Sequence, residues 1–160
     1  MTENNSKIQV ADFYEEFQAH GKYEYLFGDK RRVDLYRSLI GKDKKILEVG
    51  CRAGNLTQHY CSGNEVVGVD VDRNALVEFK KKLGFEGHWV DVDSEDLPFE
   101  SESFDLVVFS EVMEHLRFPQ KALSEISRVL RREGSLVGSV PNAFRLRNRL
   151  KFIMGKPYEV

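Results

Sequence analysis

A carboxylate and two glycines stand close together near position 50. Glu48 lies in the segment 45–49, whose apolar residues predict a strand covered on both faces of a sheet. Gly50 and Gly54 follow, and each lets the backbone turn sharply and approach a ligand because it carries no Cβ. A carboxylate near the end of a buried parallel strand is costly unless something pairs with it. We therefore expect Glu48 to face a ligand that offers hydrogen-bond donors or positive charge.

A second carboxylate, Asp70, ends the apolar and β-branched segment 65–70, which predicts the next strand. An acid at the tip of that strand can accept hydrogen bonds from ribose hydroxyls. The alternative role is the N-cap of a helix predicted over residues 73–83, although Asp72 is better placed for it. Asp70 therefore favours an adenosyl ligand without identifying which one.

The segment 110–116 carries a further set of polar groups. Ser110 follows the predicted fourth strand and should line the same cleft by position. Glu111 and His115 are four residues apart, so on a helix they would share a face. Because histidine side chains titrate near neutrality, His115 is a candidate general base for a substrate hydroxyl or amine. The alternatives are a histidine that caps a short helix and a metal pair, which lacks further ligands at suitable spacing.

The acidic residues of segment 91–102 partly match a calcium loop. Asp91, Asp93, Glu95 and Glu102 occupy positions 1, 3, 5 and 12 of the EF-hand template. Position 6 of that template is glycine, whereas this chain has Asp96, and a predicted strand precedes the segment in place of a helix. We therefore expect no metal site.

Two kinds of nucleotide-binding loop compete for the bend after Glu48. The nicotinamide fingerprint Gly-x-Gly-x-x-Gly fails here because Arg52 and Asn55 occupy its second and third glycine positions. The pattern present, acid-x-Gly-x-x-x-Gly, resembles the first motif of class I S-adenosylmethionine-dependent methyltransferases of the methyltransferase type 11-like kind. That motif reads Asp/Glu-x-Gly-x-Gly-x-Gly, and Arg52 replaces its central glycine. The matching residues are Glu48, Gly50, Cys51 and Gly54.

The resemblance continues along the chain. Segment 66–76 is similar to the family's Val-x-Gly-x-Asp strand and the helix after it. Segment 93–99 resembles Asp-Ala-x-x-Leu-Pro-Phe, and segment 110–116 resembles the Val-Leu-Glu-His-Leu motif that follows the fourth strand. Segment 124–140 resembles the family's next helix and fifth strand.

The resemblance implies methyl transfer from S-adenosylmethionine to a small or medium-sized acceptor, with S-adenosylhomocysteine as product. Glu48 would hold the methionine end, Asp70 the ribose, and Asp93 with Ser94 the adenine; Asp91 replaces Asp93 if the register is shifted. The implied cofactor-binding residues are Glu48, Gly50, Cys51, Gly54, Asp70, Val71, Asp93, Ser94 and Ser110, and the implied catalytic base is His115.

Five alternations of strand and helix predict an α/β fold with a parallel sheet covered by helices on both faces. We expect strands at 45–49, 65–70, 88–93, 106–109 and 136–140, and helices at 56–61, 73–83 and 119–131. The resemblance implies a Rossmann-like doubly wound sheet of order 3-2-1-4-5 over residues 43–141. The family's C-terminal antiparallel hairpin is missing. We therefore expect a fragment of a longer protein, or a partner such as a second copy, to cover the fifth-strand edge.

The two ends of the chain are predicted to flank this core. Residues 1–42 should form a helical lid or cap, with an apolar stripe of Val33, Tyr36, Leu39 and Ile40. Its aromatic residues Tyr23, Tyr25 and Phe27 either cover the sheet or close over a cofactor and substrate. Residues 142–160 should form a basic amphipathic tail. That tail is either an ordinary packed helix, a contact for an anionic substrate group, or an interfacial membrane helix.

Composition restricts the functional classes. The formal net charge of -2 argues against nucleic-acid binding by bulk electrostatics. No apolar run approaches the roughly 20 residues of a membrane-spanning helix. The two cysteines do not suggest a disulfide framework, so a cytoplasmic location with reduced thiols is expected. Two rival hypotheses are a nicotinamide-dependent oxidoreductase and a catalytically inactive regulatory or scaffold domain that still binds the cofactor.

Overall fold

The computed structural model describes residues 30–142 and 153–154. In this part of the chain the helices are α1 (Lys30–Ile40), α2 (Arg73–Leu83) and α3 (Pro119–Val129). The strands are β1 (Lys45–Val49), β2 (Glu65–Asp70), β3 (Glu86–Trp89), β4 (Phe104–Ser110) and β5 (Leu130–Ser139). Short 3₁₀ turns span Thr57–His59 and Met113–His115.

The strands form one parallel sheet in the order β3-β2-β1-β4-β5. This order confirms the doubly wound fold predicted from the sequence. Strand β1 is central, and Glu48 lies opposite Gly68 of β2 and Val108 of β4. Asp70 is the last residue of β2 and Ser110 the last residue of β4. Because the carboxyl ends of parallel strands meet at one edge of a sheet, both lie at the same edge as Glu48 near the end of β1.

The sheet buries one apolar layer on each face. Successive residues of a strand point to opposite faces, so Ile46 and Glu48 share one face, while Leu47 and Val49 share the other. The Ile46 face packs against residues of α1 and α2, including Tyr36, Ile40 and Phe79. The Leu47 face packs against Ala122, Ile126 and Val129 of α3. Glu48 is therefore a carboxylate on a helix-covered face of the sheet.

The helix ends follow from capping residues. Asp72 begins α2, because its side chain accepts hydrogen bonds from the backbone N–H groups of Asn74 and Ala75, as the sequence predicted. Gly84, at a φ of 76°, ends α2. Gly41, at a φ of 71°, follows the last residue of α1, and Pro119 occupies the first turn of α3.

Three strands differ from their predicted bounds, and the fourth, which covers Phe104–Ser110 and not 106–109, differs least. The third strand covers Glu86–Trp89 and not 88–93, because Asp91 starts a turn: its carboxylate accepts from the N–H of Asp93 and its carbonyl from the N–H of Ser94. The fifth strand begins at Leu130, directly after α3, and pairs with Phe104 before an irregularity in the register. Helix propensity alone extended the predicted helix to residue 131, whereas Leu130 and Arg131 belong to the fifth strand.

Two smaller differences concern helices. The helix predicted at 56–61 is only a 3₁₀ turn, Thr57–His59. Leu39, placed in the buried stripe of α1, is 53% exposed, so the buried face of α1 is narrower than the apolar stripe in the sequence suggested.

Parts of the two predicted flanking regions lie outside the described residues. Of the predicted lid, residues 30–42 are described and contain α1. Of the predicted tail, only 142, 153 and 154 are described, and Ile153 and Met154 are exposed. No helix within the described ranges combines the length and apolarity needed to cross a bilayer.

Candidate cofactor site at the sheet edge

Glu48 is buried beside two hydroxyl groups. Its side chain is 3% exposed, and its Oε2 atom accepts hydrogen bonds from Thr57 Oγ1 and from Tyr60 OH, the latter at 2.5 Å. Thr57 and Tyr60 are themselves buried and come from the 3₁₀ turn and the residue that follows it. Burial raises the pKa of Glu48 to about 7, the two hydroxyl donors oppose that rise, and the charge of Asp70 adds to it.

Glu48 also lines a cleft beyond the end of β1. The residues that line this cleft are Glu48, Gly50, Cys51, Arg52, Asn55, Leu56 and Ser110. Both hydrogen bonds of Glu48 are made by Oε2. Among the described residues, the fully buried side-chain atoms that lack a hydrogen-bond partner do not include Glu48 Oε1. Oε1 is therefore the oxygen that can accept from a ligand in the cleft.

The loop after β1 needs its glycines for two reasons. Gly50 and Gly54 have φ values of 76° and 75°, in the left-handed region that favours glycine. A Cβ at Gly50 would lie 2.4 Å from Val112 Cγ2, and a Cβ at Gly54 would lie 2.4 Å from Leu83 Cδ1. Both glycines therefore permit the bend and also the close packing of neighbouring elements against it.

Arg52, which replaces the central glycine of the motif, adopts the same left-handed conformation with a φ of 47°. Such a backbone costs a non-glycine residue free energy of order 1 kcal/mol or more. Its N–H donates to Asp70 Oδ2 at 2.8 Å, so this loop conformation joins the bend to the end of β2.

Cys51 has a packing role. The thiol is buried, and a Cβ at Gly68 of β2 would come within 2.5 Å of its Sγ. Burial raises the pKa of the Cys51 thiol well above its usual value, and the charges of Asp70 and Glu48 add to this, which keeps the thiol neutral.

Asp70 is buried at the tip of β2 and is held by backbone donors. Its Oδ2 accepts from Arg52 N and its Oδ1 from Asp72 N, at 2.8 Å and 2.9 Å. Burial raises the pKa of Asp70, and these two hydrogen bonds oppose the rise. Each oxygen keeps a lone pair for a ligand hydroxyl. The neighbouring Val71 accepts a 2.7 Å hydrogen bond from Trp89 Nε1 at its carbonyl.

Asp93 and Ser94 are tied to the start of α3. Asp93 accepts from Arg117 Nε at 3.0 Å and from Phe118 N at 2.8 Å. Although burial alone would raise the pKa of Asp93, these donors hold it below its usual value. The Ser94 N–H, expected to be open to a ligand, donates to Asp91 O at 3.0 Å. A ligand that used this N–H would have to compete with that turn.

Ser110 belongs to a polar cluster that the sequence analysis missed. Arg32 and Tyr36 of α1 each donate to Ser110 Oγ at 2.8 Å, and Arg32 also contacts Glu111 Oε1 at 3.0 Å and Ser139 Oγ at 2.8 Å. We call Arg32, Tyr36, Ser110, Glu111 and Ser139 the α1 clasp. The clasp joins α1 to the carboxyl ends of β4 and β5, an association that no local sequence pattern reports.

The proposed helical pairing of Glu111 with His115 is wrong. Glu111 has a φ of 55° and pairs with Arg32, and His115 lies in a 3₁₀ turn that begins only at Met113. The His115 side chain is about half exposed, and its Nε2 lies 3.9 Å from Glu114 Oε1. Within the described ranges, no group of three or more acidic, histidine or cysteine side chains is arranged to hold a metal ion.

The candidates that the sequence did not reveal are therefore Thr57 and Tyr60 beside Glu48, and Arg32, Tyr36 and Ser139 of the clasp. A buried carboxylate signalled the need for donors near Glu48. The sequence did not show which hydroxyls supply them, since Thr57 and Tyr60 follow a bend whose path depends on tertiary packing.

The family described as "Methyltransferase domain" matches residues 47–138 of this chain. An uncharacterized protein of Haemophilus influenzae is 32% identical over 130 residues, which are 73% of this chain and 51% of that protein. The ubiquinone/menaquinone biosynthesis C-methyltransferase UbiE of Campylobacter jejuni is 28% identical over 116 residues, or 68% of this chain and 48% of that protein. The chain thus spans about half the length of these two relatives.

A crystal structure of a protein from Pyrococcus horikoshii OT3 is similar with a TM-score of 0.65 and 24% identity. The similarity covers 82% of this chain and 65% of that one. It shows that the sheet and its helices follow a known arrangement.

The environment of Glu48 predicts a pH dependence of stability. Between its ordinary pKa of 4.5 and about 7, the folded protein holds a proton that the unfolded chain has lost, so stability falls as pH rises through this range. Glu48→Gln should remove this loss, so its free energy of unfolding relative to wild type should rise by about 2 kcal/mol from pH 5 to pH 8. Urea unfolding of the ligand-free protein measures it. The exposed Glu100→Gln serves as control, and a constant difference for Glu48→Gln across this range would contradict the assignment.

The α1 clasp predicts a cost for losing its cation. Arg32→Gln should lower the free energy of unfolding by about 2 kcal/mol, because Glu111 would lose the cation that pairs with it in a half-buried setting. Lys30→Gln, at the exposed first residue of the same helix, should change it by less than about 0.5 kcal/mol. Equal effects of the two variants in thermal or urea unfolding would show that the clasp does not hold α1.

Proposed function

Because the chain belongs to the methyltransferase-domain family, we propose that it binds S-adenosylmethionine and transfers the methyl group to a small or medium-sized acceptor. The observation that carries this proposal is the pair of buried carboxylates, Glu48 and Asp70, at the tips of adjacent strands on either side of a glycine bend. The relative named as a quinone-biosynthesis C-methyltransferase supports a small-molecule acceptor.

The hydrogen-bond acceptors near the cleft match the donor groups of the proposed cofactor. Glu48 Oε1 would accept from the α-ammonium group of the methionine end, which supplies the positive charge that a buried carboxylate requires. Asp70 would accept from the ribose hydroxyls through lone pairs that Arg52 N and Asp72 N leave open. The bend at Gly50 would let the backbone lie close to the ligand between these two ends.

Asp93 and Ser94 would border the adenine. Arg117 and the N–H of Phe118 hold the Asp93 carboxylate in its charged form, which can still accept from an adenine amino group. The side chain of Lys121 donates to Ser94 O at 2.7 Å and so ties this loop to α3. The proposed adenine side of the site thus lies on a loop supported from the helix behind it.

The sulfonium of the bound cofactor would supply an electrophilic methyl carbon. The chain's own task is then mainly to hold the reactants in line, which requires few catalytic groups. His115 would accept a proton from an acceptor oxygen or nitrogen and would not be needed for a nucleophile that carries no proton. Its half-exposed position beyond β4 leaves it accessible to an acceptor.

A second candidate function is a cofactor-binding domain without turnover. Arg52 favours it, because a cationic side chain lines the cleft where the family motif has glycine. Both functions require S-adenosylhomocysteine binding. They differ in whether methyl-labelled S-adenosylmethionine passes label to small molecules of a cell extract. A nicotinamide-dependent oxidoreductase is disfavoured by the family match, and calorimetry with NADH and S-adenosylhomocysteine side by side tests it.

The ribose role of Asp70 predicts a binding defect. Asp70→Ala should weaken S-adenosylhomocysteine binding at least tenfold, about 1.4 kcal/mol, because the ribose acceptor and the anchor of Arg52 N are both lost. Asp72→Ala is the matched control: it removes the α2 cap and lowers stability by about 1 kcal/mol, and should leave affinity within about twofold. Unchanged affinity of Asp70→Ala in calorimetry would remove the ribose role.

The base role of His115 predicts a defect in turnover alone. His115→Ala should reduce label transfer by roughly 100-fold or more while S-adenosylhomocysteine affinity stays within about twofold. His88→Ala, an exposed histidine on β3, should preserve both. Label transfer by His115→Ala at the wild-type rate would discard the base.

A further inference from the structure

The hydroxyls beside Glu48 restrict what its carboxyl group can do. A carboxylate oxygen has two lone pairs, and the two lone pairs of Oε2 are used by Thr57 Oγ1 and Tyr60 OH. While both hydroxyls donate to Oε2, a proton bound by Glu48 resides on Oε1. That is the oxygen available to the cleft, and hence the atom that would accept from the cofactor's ammonium group.

Resting on the function proposed above, we propose that Thr57 and Tyr60 are positioning residues that make a proton and the cofactor's ammonium group compete for Glu48 Oε1. The ammonium group can be accepted only after the proton has left, so cofactor binding releases that proton to solvent. No bond other than O–H breaks, and the charge of the departing proton is replaced by that of the ammonium group.

The neighbouring groups locate this exchange near neutral pH. Because burial raises the pKa of Glu48 to about 7, about half of the ligand-free molecules hold the proton at that pH. The ionisable groups around Glu48 are Asp70 of β2, Cys51 and Arg52 of the loop, and Tyr60. Burial raises the pKa values of Cys51 and Tyr60 well above their usual values, so neither group titrates in this range.

Calorimetry in two buffers of different ionisation enthalpy, phosphate and imidazole, counts the released protons. Binding of S-adenosylhomocysteine should release about 0.9 proton at pH 6.0 and about 0.5 at pH 7.0, and its affinity should rise about eightfold from pH 6.0 to pH 7.5. The ligand control is 5′-methylthioadenosine, which keeps the nucleoside and lacks the ammonium group. It should bind with no proton release and with constant affinity over the same range.

Variants of Thr57 test the positioning role. Thr57→Val keeps the shape and removes the hydroxyl, so the proton binds Glu48 more tightly and the release at pH 7.0 should rise from about 0.5 towards one. Thr57→Ser restores the donor and should return the release to the wild-type value. The affinity for 5′-methylthioadenosine should be the same within about twofold in both variants, which separates this role from a loss of folding.

The outcomes separate this inference from the function on which it rests. Proton release with S-adenosylhomocysteine and none with 5′-methylthioadenosine supports the inference, even if a Thr57 variant does not fold. Tight binding of both ligands with equal proton release, or with none, overturns it and leaves cofactor binding intact. Failure of S-adenosylhomocysteine to bind at any pH overturns the proposed function itself.

Discussion

The carboxylate of Glu48, buried at the end of the central strand, is the constraint on which the site depends. A charged group there has given up its hydration, and the two hydroxyls on Oε2 restore only part of that loss, as the raised pKa of Glu48 indicates. The ligand-free protein is therefore less stable at high pH than an amide at this position would make it. A cation in the cleft would remove that penalty, so the same burial that weakens the fold strengthens the proposed binding of an ammonium group.

Asp70, on the adjacent strand, is also a buried carboxylate, but backbone N–H groups stabilise it in place of side-chain hydroxyls. Two backbone N–H groups hold its oxygens, one from the bend and one from the residue before α2. The first of these requires the left-handed conformation of Arg52, so the carboxylate and the bend determine each other's positions. The α1 clasp adds a third polar junction at this edge, and the strand tips are thereby connected to helices on the face that Glu48 shares.

Most elements of the sheet could be predicted because they follow from short-range patterns, whereas their order was implied by the resemblance to the methyltransferase family. Apolar runs ending in Glu48-Val49 and Asp70 marked buried strands, and Asp72 marked the start of α2. The features that the sequence did not predict have a common physical cause, because tertiary contacts determine them. Leu130 belongs to β5 because it pairs with Phe104 of β4. Glu111 is not helical and instead accepts a hydrogen bond from Arg32, which is 79 residues away in sequence. Thr57 and Tyr60 likewise become partners of Glu48 only once the bend has folded.

We propose that the cleft beyond β1 holds an S-adenosyl nucleoside between the two buried carboxylates. A crystal structure of the chain grown with S-adenosylhomocysteine is the decisive experiment. We expect the ligand's ammonium nitrogen within about 3.2 Å of Glu48 Oε1 and a ribose hydroxyl within the same distance of Asp70. Ligand density elsewhere on the molecule, or in the cleft with its ammonium group turned away from Glu48, would contradict it.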